Sequence, residues 1–507
     1  MIRKSVVLKG TVILVLFYIV SKIISFLIEM SIASSFGANL YTDSYYLVDG
    51  VIAAVGAMLS IGVWKVFMPE YRIQIVKGNI DKANSITSSL IVIFFILSIL
   101  LCFLFLCFPS LFIRLFAPGF NDEAIVNAVN ILRVLVFIFI LGTMTTFPSA
   151  ILQSRSLFSR SQVKEITTFM PPLFYLLIFG AKYGIMGFVY SILIGYLVAF
   201  FSQYILLLPY YKFSLPKQLF APEVIKLLKL YPVACLNAII NQLNTLVDRM
   251  FSSTLFFGSI TFLNYGGKII HLFDGIFSTA ISVAMFPHLA EMFVKNSINE
   301  FNTFFKKYLS LFCAVLFPVM TMLLISSQDI VSLLFGYGKF DAYSVHNTSR
   351  VLFMYAIGLP AMGLSTIVND VYYLQKKIKV LLFTTILSVV SNVVLDYVFI
   401  QYYDVAGLSL ATTISIYIAL IVKFYMIKEI VTIDRLFVQD LLYILVGCAM
   451  GAIVSCVSIR NIEIAIVSMI AKCSIFVVVY FIVIQLDKFY RKECIELLFS
   501  MKKKIHL

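Results

Sequence analysis

Fourteen apolar runs of bilayer length recur along this chain. They fall at about 11 to 33, 44 to 68, 86 to 108, 125 to 152, 166 to 181, 185 to 209, 228 to 252, 259 to 288, 308 to 326, 345 to 373, 380 to 400, 406 to 427, 437 to 457 and 463 to 485. A helix needs roughly 20 apolar residues to cross the hydrocarbon core, and within lipid only helices and closed barrels satisfy their own backbone. The pattern predicts an all-α, polytopic membrane protein of about 14 transmembrane helices. Few of the 507 residues remain for an extramembrane domain, and a chain 61% hydrophobic and 13% charged cannot cover a soluble surface. The first run, interrupted by Lys22 and Glu29, is too long for a cleaved signal and is expected to be retained.

Basic residues set the expected orientation. The formal charge of +14 does not describe a nucleic-acid face, because Lys and Arg lie between apolar runs. On the N-terminal side of the membrane the loops and tail hold 28 of the 39, including Arg72, Arg155, Arg160, Lys164, Lys226, Lys306, Lys376 and Lys377. The opposite side has Arg114, Lys182, Lys339 and Arg460, and seven lie within spans. By the positive-inside rule both termini are cytoplasmic. The tail from Asp487 to Leu507 mixes Lys502, Lys503 and Lys504 with Ile495, Leu498 and Phe499, as an interfacial helix on anionic lipid does; a frayed basic tail fits equally.

An internal repeat organises the first twelve spans. Phe36-Gly37 matches Phe257-Gly258, Pro69 matches Pro287, Phe116 matches Phe335, Arg133 matches Arg350, and Gly187 matches Gly407, at offsets of 217 to 221. Each repeat carries six spans, so the halves enter the membrane from one side and are related by an axis along its normal. The expected plan is an N-lobe over 1–220, a C-lobe over 221–430, two further helices over 431–486 and a basic tail over 487–507. A chamber between two such lobes is the geometry of alternating access.

Charge at membrane depth is costly unless it faces a cavity or a partner, which makes such residues candidates for function. In the first span Lys22, Ser25 and Glu29 share a helical face. The second begins with Asp43 and Asp49 and carries Gly50, Gly56 and Gly62; the eighth carries Lys268, His271 and Asp274 after Gly266 and Gly267. These helices correspond in the repeat. Lys22 and Lys268 suit a phosphate or pyrophosphate, and the glycines leave room for bending or for a ligand. The other reading is mutual neutralisation, Lys22 with Glu29 and Lys268 with Asp274. A second set, Asp248, Asn392, Asp396 and Thr412, offers only oxygen ligands and suits Na⁺; alternatively Asp248 pairs with Arg249 and Asn392 bonds a neighbouring helix.

Several chemistries lack their motifs. There is no phosphate loop, no dinucleotide fingerprint, no H-E-x-x-H and no nucleophile elbow, and no C-x-x-C pair among the eight cysteines. A transporter without a resident cofactor is expected, rather than an enzyme or an ATP-driven pump.

Ordered segments carry a resemblance. FGANLYTDSYYLVDG with Phe67-Met68-Pro69-Glu70-Tyr71-Arg72, LFAPGF with Leu132-Arg133, NQLNTLVD at 241 to 248, LNYGGKIIHLFDGIFSTAISVAMFPHLA at 263 to 290, LLFGYGKFDA, YAIGLPA and VAGLSLATT together resemble the MurJ/MviN family of murein lipid II flippases. The resemblance runs from about residue 20 to 430. It implies the fourteen-helix architecture of the multidrug/oligosaccharidyl-lipid/polysaccharide exporter superfamily. It also implies passage of an undecaprenyl-pyrophosphate-linked saccharide from inner to outer leaflet of the bacterial cytoplasmic membrane, with cell-wall synthases as possible partners. Lys22 and Lys268 stand at positions of family arginines, whereas Ile28 and Val55-Gly56 replace other family cations. The resemblance also implies Na⁺ coupling through Asp248, Asn392, Asp396 and Thr412. Alternatives left open are another polyprenyl-linked glycan, a cation-coupled drug antiporter using Glu29 and Asp49, and a cell-wall scaffold.

Overall fold

The computed structural model describes residues 2–216, 218–294, 298–428, 435–458 and 465–492. Helices in chain order are α1 (Ile2–Phe36), α2 (Leu40–Gly62), α3 (Met68–Val76), α4 (Ile80–Cys107), α5 (Pro109–Phe116), α6 (Asp122–Leu135), α7 (Ile138–Ser154), α8 (Phe158–Phe179), α9 (Gly184–Leu207), α10 (Pro222–Ser253), α11 (Ser259–Val294), α12 (Ile298–Ile325), α13 (Ser327–Phe335), α14 (Ala342–Leu374), α15 (Ile378–Tyr403), α16 (Val405–Ile427), α17 (Arg435–Ser458) and α18 (Ala465–Ile484). Every predicted run lies on one or two of them, and the chain is an all-α polytopic membrane protein. Among the described residues, eleven segments are apolar and long enough to cross a membrane by length and composition. Outside that set lie the short α5 and α13 and the longer α8, α10 and α11; these three hold Lys164 and Glu165, Asp248 and Arg249, and Lys268 and Asp274 among other residues.

Two compact units form. The first holds Met1–Thr261 with Tyr337–Asp341, and the second holds Phe262–Gly336 with Ala342–Leu507. The unit boundary therefore does not coincide with the repeat boundary expected at 220/221. The reason lies in α10, whose side chains fill gaps on α2. The Tyr231 ring covers Gly62, where a Cβ would overlap it, and its hydroxyl donates to the Leu59 carbonyl. That carbonyl is released because the chain passes from α2 into a π-helical turn, Val63–Phe67, in which Val63 N–H bonds Ser60 instead. Pro69 follows and cannot donate a backbone bond, so the irregularity sits where the ladder is already broken. Phe67, Tyr71, Phe94 and Phe147 complete an aromatic core around Tyr231. At the loop end of this unit, the hydrogen bond from Lys82 to Glu223 at 2.7 Å holds the Glu223 carboxyl below the ordinary carboxylate range.

The second unit packs α14 against α12 and α16, with α17 and α18 docked on α12. Cys313, Ile444, Cys448, Phe476 and Tyr480 form that interface. Three polar contacts fix its register: Tyr480 to the Ala314 carbonyl at 2.8 Å, Ser310 to Asp440 at 3.0 Å, and Lys472 to Asp329 at 2.6 Å. The predicted interfacial tail, including Ile495, Leu498, Phe499 and Lys502 to Lys504, lies outside the described residues.

Local geometry repeats at the sequence offset. After α7, the Arg155, Ser156 and Leu157 N–H groups bond Ile151, Gln153 and Leu152; after α14, Gln375, Lys376 and Lys377 bond Val371, Tyr373 and Tyr372. Ser156 and Lys376 both adopt positive φ, 64° and 57°. Inside the first unit the repeat closes on itself. Gly119 lies against Ser253 and Thr254, and Gly338 lies against Ser34 in the reciprocal arrangement, while Thr42 and Thr261, themselves equivalent, meet at 3.1 Å. Equivalent side chains that touch one another mark a local pseudo-two-fold axis.

Gly338 combines φ of +65° with a backbone carbonyl, that of Ser34, where a Cβ would stand. Gly338→Ala is expected to cost about 2–3 kcal/mol. Gly56 has nothing within 4 Å of a built Cβ, so Gly56→Ala should be neutral or stabilise by up to ~1 kcal/mol. Thermal unfolding in detergent distinguishes the two; equal midpoints would refute the assignment.

Candidate functional site

In the first unit one face of α2 stays uncovered. Asp49, Ala53, Gly56, Ser60 and Trp64 recur at helical spacing, and all are half-buried except Ala53, which is exposed. Open space at Gly56 lies in the middle of this stripe. The glycines on either side of it behave differently. Gly50 is filled by the Arg249 guanidinium, which reaches from α10 and donates to the Tyr46 carbonyl, and Gly62 is filled by Tyr231. The glycines are expected to allow bending or ligand room; on α2 the open space is at Gly56, while at Gly50 and Gly62 the room is taken by helix packing.

Across from this stripe, Gln162 to Met170 of α8 are half-buried throughout. Lys164 brings its ammonium to 5.2 Å from the centre of the Trp64 ring and pairs with Glu165 at 3.6 Å. The floor is α7, packed on both α2 and α8, where the Thr146 hydroxyl lies 3.4 Å from that of Ser60. Tyr196 of α9 stands within the electrostatic reach of Asp49 and Glu165. Asp49, Ser60, Lys164 and Glu165 on facing walls make this a polar groove within a membrane-spanning unit, which acyl chains would not solvate. No repeat or motif marks Trp64, Lys164 and Glu165 in the sequence.

The expected residues distribute as follows. On α1, Lys22 is exposed, Ser25 half-buried and Glu29 buried, where it accepts a hydrogen bond from Tyr46 at 2.6 Å. Asp43 is buried, and its carboxylate accepts from Gly258 N–H at 2.6 Å, Thr261 N–H at 2.8 Å and the Thr261 hydroxyl at 2.6 Å. It thus caps the first turn of α11, satisfying donors that a helix start leaves open. Asp49 and Asp248 are half-buried and buried in this same unit, and both act on the Arg249 charge. In the second unit Lys268 and Asp274 are half-buried and His271 is exposed on α11, whose Gly266 lies against Val351 and Leu352.

Asn392, Asp396 and Thr412 come together in the second unit. The Asn392 amide nitrogen lies 3.4 Å from Asp396 Oδ1 and 3.2 Å from Thr412 Oγ1, with Asn392 and Asp396 fully buried. A donor placed between two acceptors occupies the position a small cation takes among oxygens. Turned over, the amide would present its oxygen, so the donor chemistry fits a hard monovalent ion. Among the described residues no group of three or more His, Cys, Asp or Glu has a metal-holding arrangement.

Comparison with known proteins follows the same outline. A family model described as lipid II flippase MurJ matches residues 32–486. A protein of Buchnera aphidicola subsp. Acyrthosiphon pisum named "Probable lipid II flippase MurJ" is 27% identical over 460 residues, 87% of this chain and 88% of its own length. A Thermotoga maritima protein of the same name is 28% identical over 412 residues, 79% and 80%. Among solved structures, lipid II flippase MurJ in an inward closed conformation aligns with a TM-score of 0.82 at 22% identity, over 95% of this chain and 100% of that one. An inward-facing multidrug resistance MATE family transporter aligns at 0.64 and 14% identity, over 81% and 94%.

The Asp43 cap yields a stability test. Asp43→Asn replaces one acceptor oxygen by a donor facing Gly258 and Thr261, at an expected cost of about 2–4 kcal/mol. Thr261→Ser keeps every bond and should unfold near the parent midpoint. An Asp43→Asn midpoint equal to the parent's would show that the cap carries no stability.

Proposed function

We propose, from the premise that this chain belongs to the lipid II flippase MurJ family, that it moves lipid II, the undecaprenyl-pyrophosphate-linked peptidoglycan precursor, from the inner to the outer leaflet by alternating access. The family is one of transporters, not enzymes. The observation that carries the reading is a family match spanning nearly all of the membrane helices. Polar groups inside two of the charged helices, α8 and α11, support it.

In this reading Lys22 and Lys268 each supply a cation to the pyrophosphate. An ammonium binds phosphate oxygens as a point charge and does not require the planar fork of an arginine. Ser25, Glu29, Asp49, His271 and Asp274 line the polar path, while Asp43 shapes it by holding the first turn of α11. The protein resides in the bacterial cytoplasmic membrane with both termini inside, on the distribution of Lys and Arg. Anionic lipid would meet its basic loops, and cell-wall synthases its exposed Lys376 to Lys379 turn.

Sodium coupling is the second reading, favoured by the gathering of Asn392, Asp396 and Thr412. These three would hold Na⁺, which would supply a driving force from its gradient. The Thr412 hydroxyl donates to the Leu408 carbonyl at 3.1 Å and accepts from the Asn392 amide at 3.2 Å. A drug antiporter of the same fold would instead need cation selectivity from Glu29 and Asp49, and Glu29 is engaged by Tyr46.

Lys268→Ala should abolish growth of a flippase-depleted strain and let lipid-linked precursors accumulate, read by mass spectrometry, with folded protein still in the membrane. Full complementation would overturn the assignment of Lys268. Replacing choline by Na⁺ should raise the unfolding midpoint of the parent but not of Asp396→Asn; an equal rise in both would remove the sodium reading.

A further inference from the structure

We infer that Trp64, Lys164 and Glu165 form a saccharide subsite in the α2–α8 groove, where the sugar of the lipid-linked substrate rests on the indole ring. This rests on the flippase reading and adds to it a specific place for the glycan.

Three observations point there. Trp64 is the single tryptophan of the chain; it is half-buried and continues the stripe of α2 about two helical turns beyond the open space at Gly56. Membrane proteins commonly use Trp in interfacial belts, but here the exposed aromatic surface is built from Phe and Tyr, such as Phe103, Tyr190, Phe201 and Tyr402. Second, the indole N–H has no acceptor among the described residues. Third, the groups gathered at the ring are complementary in kind. Lys164 lies over it at 5.2 Å, and Glu165, paired with Lys164 at 3.6 Å, keeps 37% of its side chain accessible.

A pyranose ring asks for this set. Its polarised C–H groups lie on the electron-rich face of an aromatic ring, and its hydroxyls both donate and accept. The indole N–H and the ammonium offer donors, and the carboxylate offers acceptors. Trp64 lies within the π-helical turn Val63–Phe67 that follows α2. Phosphate is the wrong ligand for this groove, because Asp49 and Glu165 both bring negative charge to it.

The test uses purified full-length protein in nanodiscs and two probes: undecaprenyl pyrophosphate, and the same lipid carrying the disaccharide without peptide. With one indole in the chain and nanodiscs formed by a polymer belt free of tryptophan, intrinsic indole emission reports this site alone. The disaccharide lipid should shift or quench it and the bare pyrophosphate lipid should not. Trp64→Ala and Glu165→Gln should each weaken the disaccharide lipid about tenfold with little change for the bare lipid, and Trp64→Phe should recover most of the loss. Binding of the disaccharide lipid with unchanged emission and unchanged affinity in Glu165→Gln would overturn the subsite while leaving the flippase reading intact. A parent protein that binds neither lipid would remove the flippase reading itself. Should Trp64→Ala fail to fold, the parent's emission and Glu165→Gln decide the matter.

Discussion

The carboxylate of Asp43 holds together the end of the first unit on which its other features depend. Three donors, two backbone N–H groups and a hydroxyl, converge on it from Gly258 and Thr261. A helix beginning within a membrane protein cannot rely on water for its open N–H groups, so a neighbouring helix must supply the acceptor. Asp43 can do so because Asn39 starts α2 with a capping box: the Asn39 side chain accepts from Tyr41 and Thr42, and Thr42 accepts from the Asn39 N–H. That box sets the first turn of α2, and the first turn of α2 places Asp43. The reciprocal packing of Gly119 on Ser253 and Gly338 on Ser34 lies around the same local axis. A left-handed backbone at Gly338 and a missing Cβ at both positions are what allow loops to approach helix ends so closely.

Most of the fold was legible because lipid imposes one strong rule. Apolar length marks a span whatever its tertiary context, and each of the fourteen runs became helix. The repeat was legible from scattered Gly, Pro and aromatic landmarks for a related reason: turns need particular backbone conformations, and the matched turns at Ser156 and Lys376 do share one. What hydropathy could not express was association. Whether α10 packs on α2 or on the helices that follow it depends on which small residue leaves a gap for which large one, and the pairs Gly62 with Tyr231 and Gly50 with Arg249 join positions about 170 and 200 residues apart.

The site was legible in part. Ionisable residues at membrane depth were visible, since their cost makes them conspicuous; of the oxygen set Asp248, Asn392, Asp396 and Thr412, the last three come together in the second unit, with Asn392 within hydrogen-bond distance of the other two. Asp43 stood out for the same reason, yet its oxygens are spent on α11. Sequence shows that a carboxylate is buried but not which donors meet it. The groove residues were passed over because Lys164 and Glu165 lie near a loop, where charges signal orientation, and because a single Trp carries no pattern.

Electrostatics then separates the parts of a lipid-linked glycan. Two unit charges 4 Å apart interact by about 4 kcal/mol in a medium intermediate between water and protein interior, so a pyrophosphate cannot settle beside Asp49 and Glu165 unless Lys164 offsets both. Lys164 is already committed to Glu165 and to the Trp64 face. In the proposed function the pyrophosphate is left to cations outside the groove, Lys22 and Lys268, and the groove suits an uncharged, hydroxyl-rich group. With Ile28 and Val55-Gly56 apolar, the groove takes its polar character from Asp49, Ser60, Lys164 and Glu165, and Trp64 is placed to receive a hydroxyl-rich ring.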